Sequence, residues 1–98
     1  MTSMEKKLTE NRLTEVKAAL SAKYRTVDLG GEKFFVATDG AFFRVGVFPG
    51  AMALVIEYAD TEQEARQNAL EDGDRFYLDE TTLDEMLRLM ICLLYTSP

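Results

Sequence analysis

Histidine is absent from the 98 residues, and cysteine occurs once, at Cys92. A disulfide within the chain is therefore impossible. Zinc and iron–sulfur centres draw on clusters of Cys and His and are excluded in practice. So are Ser–His and Cys–His nucleophile pairs, because no imidazole is available to take the proton. No stretch approaches the roughly 18 apolar residues of a membrane span. The opening residues Met1, Thr2, Ser3, Met4, Glu5, Lys6 and Lys7 lack the apolar centre of a secretory signal. The expected compartment is the cytoplasm; export would need a route without such a signal. There is no repeat, no low-complexity tract and no linker. No glycine-rich phosphate loop is expected, since Gly30-Gly31 and the Gly46/Gly50 pair fall among strand-like segments without a following Lys-Ser/Thr.

What is present suits one globular domain. Apolar residues make up 47% and charged residues 29%, close to the usual balance, and this length supports a single core. The net charge is −6 and uneven. Residues 1–50 hold 8 Lys/Arg against 6 Asp/Glu, and residues 51–98 hold 3 against 11. The second half thus carries −8, which disfavours nucleic acid and anionic membranes as partners. A basic protein partner is compatible with it.

The chain opens with a helix-like segment over residues 4–22. Thr2 and Glu5 have the spacing of a capping box, and Leu13, Val16 and Leu20 recur at helical intervals. The apolar period then changes to two, predicting strands at 23–29, 33–38, 41–48 and 51–58. Gly30-Gly31 and Asp39-Gly40 are hairpin signals, because glycine accepts the positive φ of such turns. Pro49-Gly50 suits a type II turn.

Two-residue turns at these sites give a definite register. Val36 faces Phe43 and Phe34 faces Val45. Phe43, Val45 and Val47 face Ile56, Leu54 and Met52. Val27 and Leu29 join the same side, with Asp28 opposite Lys33. A one-residue slip would scatter this apolar set over both faces.

Thr61 with Glu64 predicts a capped short helix to about Leu70, lightly packed and ended by Gly73. Residues 75–78 read as a short fifth strand. Thr82 with Glu85 caps a last helix with an apolar stripe of Leu83, Met86, Leu87, Met90 and Ile91. The order α-β-β-β-β-α-β-α predicts a two-layer α+β domain: a four-stranded antiparallel meander, a short fifth strand, and helices mainly on one face. In fold alone this order resembles small acidic secretion chaperones and some bacterial immunity proteins, and no family motif carries a residue across.

Residues 92–98, ending Tyr95-Thr96-Ser97-Pro98, resemble one reading frame of the transposon-end adapter used to prepare shotgun sequencing libraries. The resemblance implies a native domain over residues 1–91, interrupted there, followed by a non-native tail. Cys92 is accordingly not read as a redox or catalytic residue.

Two surfaces are candidate sites. The second sheet face is expected to carry Tyr24, Phe35, Ala37, Phe42, Phe48, Ala53 and Val55, with Lys33, Arg44 and Glu57 among them. In the expected register Phe35 lies opposite Arg44, and Phe42 opposite Glu57. Such a mixture of aromatic and charged groups suits a partner or dimer interface, unless a helix covers it. The other surface is acidic: Glu71, Asp72 and Asp74, with Asp79 and Glu80 nearby. Counted from Asp72, the EF-hand positions five, six and twelve hold Phe76, Tyr77 and Leu83, so that calcium pattern fails. No catalytic residue, metal or cofactor is expected. The reading is a non-enzymatic interaction domain, either an immunity- or antitoxin-like inhibitor or a chaperone-like dimer. The alternatives are a small-molecule or ion-binding domain, or an orphan structural domain of a longer chain.

Overall fold

The computed structural model describes residues 2–29, 34–38 and 40–96, with side chains through Leu94. Its elements follow the expected order: α1 (Ser3–Lys23), β1 (Arg25–Asp28), β2 (Phe34–Ala37), β3 (Phe42–Val47), β4 (Ala53–Ala59), α2 (Glu62–Arg66), β5 (Glu71–Tyr77) and α3 (Leu83–Thr96). The five strands form one antiparallel sheet in sequential order, β1-β2-β3-β4-β5. The fold is α+β.

The helix starts are set by local chemistry. Thr2 N–H donates to Glu5 Oε1 at 2.9 Å, and Glu5 N–H donates to Thr2 Oγ1 at 3.2 Å. These bonds satisfy donors that a helix N-terminus otherwise leaves open, and the first of them holds the Glu5 carboxyl below its ordinary pKa. Thr82 and Glu85 repeat the reciprocal arrangement at α3. At α2 the Thr61 hydroxyl accepts from Glu64 N–H at 3.1 Å and donates to the Glu64 carboxylate at 3.0 Å.

The main core lies between the sheet and the two long helices. Val16 and Leu20 of α1 meet Val36, Phe43, Val45, Leu54, Ile56 and Phe76 of the sheet, and Met86, Met90 and Leu94 of α3 close the layer. Arg12 crosses from α1 to the segment before α3, where its Nη1 donates to the Thr81 carbonyl at 3.0 Å.

The registers differ in an instructive way from two-residue turns. Val36 faces Phe43 as expected; Asp39 lies outside the described residues. Between β3 and β4, however, Phe43, Val45 and Val47 face Tyr58, Ile56 and Leu54. Ala51 N–H reaches the Phe48 carbonyl at 3.4 Å, and Gly50 has φ 82°. Pro49-Gly50 thus makes the type II turn. The ladder resumes only at Ala53, whose carbonyl accepts from Phe48 N–H at 2.8 Å, so Ala51 and Met52 lengthen the loop. The resulting shift is two residues, and an even shift leaves every side chain on its expected face.

Between β1 and β2 the difference is odd. Val27 faces Phe35 and Asp28 faces Phe34, where a Gly30-Gly31 turn would set Asp28 against Lys33. Lys33 and both glycines lie outside the described residues. This single step moves Val27 and Leu29 to the second face, where they join a separate apolar cluster with Phe35, Ala59 and Ala65. Tyr24 moves the other way and packs on the main core.

Gly73 does not end α2. Asn68 does, at φ 59°: Asn68 N–H donates to the Ala65 carbonyl and Ala69 N–H to the Glu64 carbonyl, the paired bonds of a Schellman motif. Gly73 sits inside β5, where the pairing with β4 shifts between Val55 and Glu57. The fifth strand therefore starts earlier than 75–78 suggests. A Cβ at Gly73 would stand 2.7 Å from the Ile56 carbonyl oxygen, so close approach of two backbones excludes a side chain there.

Gly73→Ala is expected to destabilise the domain by about 1–3 kcal/mol, lowering Tm by roughly 4–8 °C per kcal/mol. Gly46→Ala should leave Tm nearly unchanged, because a Cβ at Gly46 meets nothing within 4 Å. Thermal melts followed by circular dichroism check both.

Candidate interaction surface

The second face of the sheet divides into a covered part and an open part. The covered part is built on Phe35, which is 0% exposed. Leu29, Ala59 and Ala65 enclose it, and Val27, Phe42 and Leu70 flank them. α2 and the segment after it thus seal the region where β1 and β2 bring their apolar side chains. Phe35 is a structural residue of this cluster. Tyr24, on the opposite face, does not belong to the surface at all.

Arg44 marks the boundary between the two parts. Its Nη2 donates to Glu57 Oε1 at 3.0 Å and its Nη1 to Asn68 Oδ1 at 3.0 Å. The guanidinium carbon lies 5.9 Å from the centre of the Phe35 ring, as expected from their cross-strand placement. One side chain therefore ties β3 to β4 and to the left-handed residue that ends α2. Glu57 faces Arg44, and Phe42 faces Ala59, in place of the expected Phe42–Glu57 pairing. The loop-length shift accounts for the exchange.

The open part lies toward the 49–52 loop. Gly46 pairs with Val55, Val55 with Arg75, and Ala53 with Tyr77. Phe48 and Val55 are half-buried and belong to neither apolar cluster. The Arg75 guanidinium stacks over the Phe48 ring at 4.1 Å, a cation–π geometry. Ala37 and Ala53 are buried at the backbone level of this face. Of the expected surface residues, Phe42, Arg44, Phe48, Val55 and Glu57 remain on the face and partly accessible. Arg75 and Tyr77 join them, because β5 covers more of the sheet edge than its apolar residues signal. The alternation of Arg75 and Tyr77 about Phe76 was the available clue.

The acidic residues occupy strand and turn. Glu71, Asp72 and Asp74 lie on β5, at the edge of the sheet, and Asp79 and Glu80 lie in the turn that follows; all five are exposed. Charge on an outer strand opposes edge-to-edge pairing with other chains. Among the described residues no group of three Asp, Glu or Cys is close enough to hold a metal ion. Glu71 faces Tyr58 across the β4–β5 pair, and hydrogen bonding to its carboxylate, together with its negative charge, raises the Tyr58 pKa above its ordinary value. Among the described residues no helix is long and apolar enough to cross a membrane.

Comparison of the chain with protein-family models, with curated proteins and with solved structures finds no match.

Phe35→Ala should cost about 3–5 kcal/mol through cavity formation and show as a large loss of Tm. A variant that melts like the wild type would place Phe35 outside the core. The neutral Tyr58 phenol is favoured in the folded state, so its contribution to stability is fully present below the ordinary tyrosine pKa of about 10 and is lost as pH rises through the higher folded value. In a tyrosinate absorbance titration, the step that Tyr58→Phe removes identifies Tyr58, and Glu71→Gln should lower the pKa of that step.

Proposed function

We propose that the chain is a small non-enzymatic protein-interaction domain that docks a protein partner, or a second copy of itself, through the open part of its second sheet face. The observation that carries this reading is the unfilled space over Gly46, bordered by half-buried Phe48 and Val55 and by Arg75 stacked on the phenyl ring. The mixture is suited to recognition. Aromatic and Arg side chains supply most of the binding energy in protein interfaces, and Arg44, Glu57 and Arg75 give the patch a charge pattern that discriminates between partners.

The excess of carboxylates in residues 51–98 favours a basic partner, with Glu71, Asp72 and Asp74 on the adjoining edge to steer its approach. An immunity- or antitoxin-like inhibitor would use the face in that way, and a chaperone-like dimer would bury it against itself. Acid–base catalysis requires two carboxyl groups of separated pKa held together in a site, whereas the acids of residues 71–80 spread along a solvent-facing edge and turn. The domain acts in the cytoplasm on this reading.

Gly46→Arg fills the open space without a backbone clash and serves as the test. In sedimentation velocity and in crosslinking from the native host followed by identification of the captured protein, the wild type should form a dimer or a defined complex. Gly46→Arg should weaken it roughly tenfold or more while keeping the wild-type melting curve. A monomer at every concentration, with no complex sensitive to Gly46→Arg, removes the reading.

A further inference from the structure

A second surface, apart from the sheet face, lies where the first half of α1 passes the end of the sheet. Two open depressions of about 410 Å³ and 340 Å³ meet there and share Met52 and Asp79. Together they form one trough between α1, the 49–52 loop and the turn after β5. Leu8, Met52 and Leu78 supply apolar lining. Leu8 is 49% exposed, and Met4, one helical turn earlier, is 74% exposed, so the apolar strip continues along α1 beyond the trough. Met4 and Leu8 thus adjoin the trough on one face of α1, and it is this continuity, rather than the exposure of either residue alone, that suits a docked partner.

The charged groups of the trough point to the kind of occupant. Glu5, Glu15 and Asp79 line it, and Arg12 is the one cation among the described lining residues. The Arg12 guanidinium already donates to the Thr81 carbonyl, so it holds the 81–83 segment in place. Three carboxylates therefore share the trough with the side chains of Leu8, Met52 and Leu78. We propose that this trough docks a cationic amphipathic segment of a partner protein, with leucine-like side chains on Leu8, Met52 and Leu78 and lysine or arginine beside Glu5, Glu15 and Asp79. Helix-in-groove recognition uses this division of labour: apolar anchors at helical spacing seat the segment, and flanking charges set its orientation. A second copy of this chain would bring the same carboxylates against one another, which disfavours it. An anionic lipid surface is disfavoured by the same repulsion.

The probe is a fluorescently labelled amphipathic helix peptide of leucine and lysine, with a matched leucine–glutamate peptide as control, read by anisotropy against the full chain. The leucine–lysine peptide should bind saturably and the control should not. Leu8→Ser, which leaves the net charge unchanged, should weaken binding roughly tenfold. The double variant Glu15→Lys/Asp79→Lys should abolish the preference for the cationic peptide. Leu89→Ser changes a leucine 50% exposed on α3 and should bind like the wild type, as should Gly46→Arg; circular dichroism confirms the fold of each. Equal binding by wild type, Leu8→Ser and the charge-reversed variant would show mere attraction of a cation to an acidic protein and overturn the proposal. Dimerisation of the wild type that Leu8→Ser abolishes would assign the trough to a second copy and overturn it equally. Sensitivity to Gly46→Arg but not to Leu8→Ser would move peptide docking to the sheet face and leave that reading standing alone.

Discussion

Each residue of β3 and β4 points to one side of the sheet, and that alternation commits nearly every other feature of the fold. Phe43, Val45, Leu54 and Ile56 fall on one side and draw α1 and α3 over them. Phe42, Arg44, Val55 and Glu57 fall on the other, where the five-residue α2 is the one helix among the described residues that packs. A sheet this wide has two faces to shield, and α2 shields the part next to β1 and β2. The accessible remainder follows from that shortage of helix.

Arg44 is the point at which covered and open regions meet. Paired with Glu57 and bonded to Asn68, it anchors the end of α2 at the edge of the Phe35 cluster. The ion pair is 26% and 21% exposed at its two side chains, so its Coulombic contribution is screened and modest, of order 1 kcal/mol or less. Its greater effect is geometric. It links three separate segments and fixes how far α2 extends across the face. On the far side Arg75 lies over the half-buried Phe48 ring and covers part of it.

How much of this was legible in the residues depends on the range over which each signal acts. Thr2/Glu5 and Thr82/Glu85 announced their helices correctly because a capping box closes within one turn. The change of apolar period announced the strands, and Asp39-Gly40 agreed with the observed pairing of Val36 and Phe43. The 49–52 loop was longer than its Pro-Gly suggested, yet the even shift spared the faces. Gly30-Gly31 misled by one residue, and that step exchanged Tyr24 for Val27 and Leu29. Nothing within a few residues of the glycines reveals the preference, since it comes from burying Val27 and Leu29 against Phe35, Ala59 and Ala65. Gly73 misled for a similar reason: beside a helix-like run it reads as a terminator, while its need for glycine comes from the Ile56 carbonyl of a neighbouring strand.

The residues alone determined the class of fold, the element order, the three helix starts, the inward set of the central strands and the acidic character of the second half. These depend on side-chain chemistry and on periods of two and 3.6, which act over a few neighbouring positions. Tertiary structure decided the parity of β1, the strand placement of Gly73, the covering of Phe35 and the accessibility of Phe48, Val55, Met4 and Leu8. Each of these depends on which distant segments arrive to bury a surface, and burial is a property of the assembled layers rather than of any single stretch of chain.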